Sequence, residues 1–419
     1  MARRLLNDCF LHDKERMRHD EAVALLRERL QPITGEETAK LSDAHGRILA
    51  RDVIAPRPVP AYDNAAVDGY AFAHDDYVRL NGRLAVSQRI AAGHPSDNPI
   101  KAGHTARIFT GAAIPAGTDS VAMQEDVAAV GDNSVEIPAG LKKGANTRLA
   151  GEDLKAGSPV VAAGTVLRPQ DMAAIASTGA AEITCHKRLR VALLSTGDEI
   201  VSPGNELRRG QVFDSNHAML SGLLAPLGVA VTRLGILSDK ADLVRRTIET
   251  AAADHDVIIT TGGASRGEED HIVATLDEIG SLAMWQLAIK PGRPMNFGQI
   301  GDCAFMGLPG NPVAVMVCFL LYVRPALRRL AGGLFGEPRR FPVAAAFTMR
   351  KKPDRREFLR GILRGSGCDI AVERYPRDGS GLISSLRAAD GLIEIDEATT
   401  SVSPGDCVNF VPFGEFVDL

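Results

Sequence analysis

VALLSTGDEI, residues 191–200, decides the fold. Its first four residues form an unbroken apolar run, as expected of a short strand buried on both faces. The run then breaks at Ser195-Thr196-Gly197, and two carboxylates follow at once, Asp198 and Glu199. Ligands of open α/β sheets bind outside the carboxyl ends of the strands, so these acids stand at a ligand-facing position.

Working outward, residues 188–332 alternate between short apolar runs and helical patterns. Strand candidates are RVALLST, VAVTRLGIL, HDVIITTGG and CAFMGLPG. Between and after them lie HAMLSGLLAPLG, KADLVRRTIETAAAD, EDHIVATLDEIG and the long apolar PVAVMVCFLLYVRPALRRLAG. That alternation predicts βαβ units around a mostly parallel sheet. Both flanks read differently. Residues 63–153 hold short alternating runs punctuated by Gly and Pro and predict a small β-rich domain. Residues 334–419 return to short strands and predict a small C-terminal β-barrel domain. The helix EAVALLRERLQPI, with Asp20 as its expected N-cap, and the strand–turn–helix pattern at 157–179 predict a discontinuous linking domain, 17–62 plus 154–187. The fold class is therefore multi-domain α/β plus β, with the α/β domain at 188–333.

Composition narrows the function. The net charge is −4 and the pI about 6.2, which speaks against general nucleic-acid or membrane-surface binding. None of the six cysteines forms a C-x-x-C pair, so neither a zinc ribbon nor a disulfide framework is expected, and reduced thiols in a cytoplasmic protein are the simple reading. The first twenty residues carry charge throughout and do not read as a signal peptide. The longest apolar run, at 312–323, is too short to span a bilayer. No H-x-H or H-E-x-x-H pair is present, and Ser195 sits in no G-x-S-x-G elbow.

Four further stretches bear on chemistry. In IITTGGASRGEEDH, 258–271, a buried strand runs into Gly262-Gly263 and Ser265 before a helix. Such a turn suits a phosphate, although plain strand-to-helix turns share the pattern. IKPGRP, 289–294, sets Lys290 and Arg293 around a tight turn, as an oxyanion site or an ordinary surface turn. GLPGNP, 307–312, offers the backbone of Pro309, Gly310 and Asn311 to an anion or only to a helix entry. GEDL, 151–154, holds Glu152 and Asp153, which a solvated corner explains equally well. Acids and cations thus meet at the same predicted strand ends, a combination familiar where carboxylates hold Mg²⁺ beside a phosphate loop.

DNAAVDGYA, RIFTGAAIP, NTRLAGEDL, VALLSTGDEI, FDSN, TTGGASRGEED, AIKPGRP and GLPGNP occur in the order found in the molybdopterin molybdenumtransferases. The chain resembles this family, MoeA and the E domain of gephyrin, from about residue 17 to its end. Molybdopterin adenylyltransferases share only the α/β domain, so the flanking β-domains point to the molybdenumtransferase branch.

The resemblance implies a homodimer of four-domain subunits with a MogA-like molybdopterin-binding domain. It implies insertion of molybdate into adenylylated molybdopterin with Mg²⁺-dependent release of AMP. Asp68, Thr110, Asp153, Glu199, Asp239, Asp270 and Lys290 would serve catalysis, with Glu199, Asp239 and Asp270 around the metal. Gly262, Gly263, Ser265, Arg293, Pro309, Gly310 and Asn311 would bind pterin phosphates or molybdate. Arg355 and Arg360 of DRREFLRG, and Ser384 or its neighbour Ser385, would help hold the oxyanion; of the two serines, Ser384 is taken as the binding one. A molybdopterin adenylyltransferase and acceptor molybdoenzymes are the implied partners, with neither nucleic acid nor membrane.

Four positions depart from the family pattern: Gln286 where some members carry lysine, Arg266 beside the phosphate loop, Arg293 for the usual lysine of KPGKP, and Val67 for methionine. Two other functions fit less well. A non-catalytic carrier or scaffold of the same fold would not need the intact acidic set. A sugar- or nucleotide-phosphate enzyme would leave the β-domain motifs unexplained.

Overall fold

The computed structural model describes residues 16–262 and 271–416. Contacts divide the chain into two compact units. One comprises Asp52–Ala162 and Gln170–Ala181, and the other holds the remainder.

The larger unit is built on a six-stranded sheet. Its strands are β1 (Arg190–Thr196), β2 (Ala230–Leu237), β3 (Val257–Thr261), β4 (Ser281–Gln286), β5 (Pro294–Ile300) and β6 (Cys303–Leu308). Their spatial order is β2-β1-β3-β6-β5-β4. The first four in that order run parallel, whereas β5 and β4 are antiparallel. The four parallel strands are those the apolar runs predict. The antiparallel pair was not read from the sequence.

Alternation along the buried strands feeds two cores. Val191, Leu193, Val257 and Ile259 face one side, toward helix α1 (Ser215–Leu224) and the helical stretch from Pro312 to Leu330. Ala192, Leu194 and Ile258 face the other, toward α2 (Ala241–Asp254) and α3 (His271–Ile279). Within 312–330, Phe319–Val323 winds as a π-helix just before Arg324-Pro325. Pro325 supplies no N–H to the preceding turn, so the ladder is re-registered there instead of breaking.

The chain then forms a closed five-stranded barrel of β7 (Phe341–Ala345), β8 (Arg356–Arg364), β9 (Ala371–Arg374), β10 (Gly391–Ile395) and β11 (Cys407–Pro412). Closure comes from β8 pairing with both β9 and β10, while β7 and β11 complete the ring. The short strand Ile289–Lys290 pairs with the start of β8, which fixes the KPG turn against the barrel.

The N-terminal helix, His19–Arg29, reinforces this joint. Its cap is Arg18 and not Asp20: Asp20 sits in the first turn and pairs with Arg356 at 2.9 Å. Arg18 N–H instead donates to Glu21 Oε2 at 2.9 Å, which satisfies one free donor of the helix start. Buried His19 places Nδ1 2.8 Å from the Tyr322 hydroxyl and its ring edge-on to Phe358. Among the described residues, no helix is long and apolar enough to cross a membrane.

The smaller unit carries its own six-stranded sheet, centred on Arg83–Ile90 and His104–Ile108, with Gly69–Phe72 beside them. Gly69 is required by packing: a Cβ there would lie 1.8 Å from the Ala122 carbonyl of the neighbouring strand.

Candidate functional site

The loops that follow β1, β3 and β6 leave adjacent strands of one parallel sheet, so the topology gathers them into one crevice. Two adjoining cavities open there. The first is about 620 Å³ and the second about 490 Å³. They share Glu199, Gly262, Gly310 and Asn311 as a common wall.

The larger cavity has a cationic side made by Lys290 and Arg360. Arg360 is only 5% exposed, yet it forms no ion pair with a carboxylate among the described residues. Its Nε donates to Ser385 Oγ at 3.1 Å and its Nη2 to the Arg377 carbonyl at 3.2 Å. Burial pulls its guanidinium below the ordinary range, with Asp378 acting in the opposite sense. A buried cation held by neutral groups and facing a cavity is the arrangement of an anion receptor. Lys290 is half-exposed and lies 3.5 Å from Glu357, a carboxylate that is itself 2% exposed. Asp378 and Ser380 complete the rim, and neither was singled out from the sequence.

Three expected oxyanion residues lie elsewhere. Arg355 turns to Glu357, with Nη2 2.7 Å from its carboxylate, and lines neither cavity. Arg293 is exposed and also outside both linings. Ser384 is exposed with its hydroxyl 3.2 Å from that of Tyr375, and the fully buried neighbour Ser385 is the serine that meets Arg360. Gln286 ends β4 and lines neither cavity. Pro309, Gly310 and Asn311 do line the larger cavity.

The smaller cavity is walled by Ser195, Thr196, Thr261 and the start of α1. Gly262 has φ +87°, and a Cβ on it would lie 2.5 Å from the Thr196 carbonyl, so the TTGG turn packs directly against the STGDE loop. Glu199 projects between the two cavities. Asp239 N–H donates to Asp198 Oδ1 at 3.1 Å. The Asp239 carboxyl is pushed up, first by burial and then by the charges of Asp198 and Glu199. Mutually repelling hard-oxygen donors fit a divalent cation such as Mg²⁺. No group of three His, Cys, Asp or Glu side chains among the described residues forms a ready-made metal cage. Mg²⁺ needs none, since it commonly takes one or two carboxylates together with phosphate oxygens. Gly263, Ser265, Arg266 and Asp270 lie outside the described residues.

Asp68, Thr110 and Asp153 belong to the smaller unit. Thr110 donates both its N–H (2.8 Å) and its hydroxyl (2.7 Å) to Asp68 Oδ1. These two bonds hold the Asp68 carboxyl below its usual range, so it stands on the surface as a fixed anion. Asp63 Oδ1 accepts from Ala150 N–H at 2.7 Å, which ties DNAAVDG to NTRLAGED. Asp153 is exposed.

Comparison with known proteins places this geometry in context. Residues 17–179 match the MoeA N-terminal region (domain I and II), residues 192–329 a probable molybdopterin binding domain, and residues 342–413 the MoeA C-terminal region (domain IV). The chain is 36% identical over 401 residues to a molybdopterin molybdenumtransferase of Haemophilus influenzae, covering 95% of this chain and 99% of that one. It is 32% identical over 402 residues to molybdopterin molybdenumtransferase 2 of Mycobacterium tuberculosis, covering 92% and 96%. The crystal structure of a molybdopterin biosynthesis MoeA protein from Pyrococcus horikoshii superposes with a TM-score of 0.81 at 28% identity, covering 95% of this chain and all of that one.

Proposed function

The chain belongs to the MoeA family of molybdopterin molybdenumtransferases, and from that premise we propose that it inserts molybdate into adenylylated molybdopterin and releases AMP. The observation that carries this reading is the buried Arg360, which forms no ion pair among the described residues, beside Lys290 in a cavity that shares a wall with a second cavity. Insertion requires two ligands at contact distance, a tetrahedral oxyanion and a pterin dithiol, and adjoining cavities supply both places.

Lys290 and Arg360 bind molybdate and orient it by charge-assisted hydrogen bonds. The backbone at Gly262, Gly310 and Asn311 forms the wall across which the dithiol meets it. Two Mo–S bonds form as one molybdate oxygen leaves as water with the two thiol protons. Water then cleaves the pyrophosphate link to give AMP and the phosphorylated cofactor. Glu199 and Asp239 are the described residues that would hold Mg²⁺, with Asp270 as the third acid implied by the family. Mg²⁺ supplies charge neutralisation on the pyrophosphate oxygens.

This reading extends to the assembly. The enzyme acts as a homodimer in the cytoplasm, takes its substrate from a molybdopterin adenylyltransferase and passes its product to acceptor molybdoenzymes. The match to a molybdopterin molybdenumtransferase over 95% of the chain supports this extension.

Reconstitution of a cofactor-free molybdoenzyme tests the proposal. Protein supplied with adenylylated molybdopterin, molybdate and Mg²⁺ is expected to restore activity at micromolar molybdate. Tight pterin binding without restored activity would instead establish a carrier.

A further inference from the structure

The FDSN segment is the one motif to which no role attaches from the sequence, and Asn216 within it makes an unusual set of contacts. It is the second residue of α1, whose N-cap Asp214 is buried and accepts from His217 N–H at 2.9 Å. Its side-chain amide donates to the Thr261 hydroxyl at 2.9 Å and to the Gly310 carbonyl at 2.6 Å. The Thr261 hydroxyl in turn reaches the Pro309 carbonyl at 3.3 Å. One amide therefore joins TTGG to LPGN. The same segment is tied to the acidic loop, because Val212 N–H donates to the Glu199 carbonyl at 2.9 Å and Asp214 N–H to the Val201 carbonyl at 2.9 Å. FDSN, TTGG and LPGN thus close into a ring of hydrogen bonds to which the acidic loop is tied, and Asn216 is the junction of the ring.

We propose that Asn216 is a positioning residue that couples the two cavities, fixing the Gly262–Gly310 wall so that oxyanion and dithiol meet in register. The inference rests on the functional reading above. Asn216 lines the smaller cavity only. A direct ligand contact at Asn216 would change pterin binding alone. A coupling role must also change oxyanion binding in the cavity that Asn216 does not line, through displacement of Gly310.

The test uses the full chain with Asn216→Asp, which keeps the shape but replaces the amide donor by an acceptor that repels the Gly310 carbonyl. Asn216→Ala is the second variant, in case the carboxylate prevents folding. Molybdate is titrated calorimetrically at fixed ionic strength, and hydrogen exchange is followed at the amides of 196–199 and 310–311. The expected result is at least a tenfold rise in the molybdate Kd for both variants, with faster exchange in both loops and unchanged far-UV circular dichroism. A Kd within twofold of wild type, or loops that keep their protection, would overturn the coupling role. Wild-type protein that binds no molybdate would contradict the functional reading instead, and the exchange data would still decide whether Asn216 ties the loops.

Discussion

Replacing Arg360 by Met is expected to separate stability from function. The guanidinium is 5% exposed and forms no ion pair with a carboxylate among the described residues, so the apo protein bears a desolvation cost that no salt bridge offsets. That cost amounts to several kcal/mol for a buried ion. Against it stand two hydrogen bonds, to Ser385 Oγ and the Arg377 carbonyl. At about 1.5–3 kcal/mol each for a charged donor, they recover roughly 3–6 kcal/mol. The opposing effects nearly cancel. Met follows the aliphatic stem of the arginine without a charge, so unfolding stability should change by no more than about 1 kcal/mol in either direction. Molybdate binding should behave differently, because the variant loses a charge-assisted contact worth about 1.5–3 kcal/mol, or roughly 10- to 150-fold in Kd. Urea unfolding without ligand, together with calorimetric titration of molybdate, measures both quantities. Saturating molybdate should also raise the thermal midpoint of wild type but not of the variant. A variant that binds molybdate within twofold of wild type, or that loses more than about 3 kcal/mol of apo stability, would refute the assignment of Arg360 as an anion receptor.

Gly262→Ala places a methyl 2.5 Å from the Thr196 carbonyl at φ +87°, so it should cost about 1–3 kcal/mol and impair turnover; wild-type stability and rate in this variant would rule out the tight turn. Asp239 ionises against burial and two neighbouring acids, so the native state holds its proton more tightly than the unfolded chain and stability falls as pH rises just above the ordinary carboxylate range. Asp239→Asn should remove that slope and shrink the stabilisation by Mg²⁺, and an unchanged Mg²⁺ effect in thermal melts would exclude Asp239 as a ligand. His19 is held neutral, with burial as the main cause and its pKa lowered from 6.5 to about 3. Between those values the unfolded chain binds the extra proton, so stability is present above pH 6.5 and falls on acidification by up to about 1.4 kcal/mol per pH unit. His19→Gln should flatten this limb in urea titrations at different pH, and a limb of unchanged slope would assign the acid sensitivity to another group.

The sheet was legible because VALL, VIIT and AFMG are continuous apolar runs, which suit only strands covered on both faces. The antiparallel pair at 281–286 and 294–300 was hidden because KPGRP lies between its strands, and that turn drew attention as a ligand loop rather than as a hairpin connection. Site residues were legible as motifs but not always as individuals. Arg355 lies in the bend just before the strand Arg356–Arg364, where it turns to Glu357, whereas Arg360 lies within the strand, and the motif DRREFLRG alone does not show where the strand begins. Choosing between Ser384 and Ser385 needed the phase of a six-residue helix, Ile383–Ala388, which is too short for sequence periodicity to set. Asn216 carried no signal beyond its place in FDSN, since its partners are a hydroxyl and a carbonyl 45 and 94 residues away.

AMP release by the purified protein, given adenylylated molybdopterin, tests the central claim most directly. The two-cavity account predicts release that requires both molybdate and Mg²⁺, proceeds in step with molybdenum incorporation, and disappears in Glu199→Ala. Release at the same rate without molybdate, or unaltered by Glu199→Ala, would contradict it.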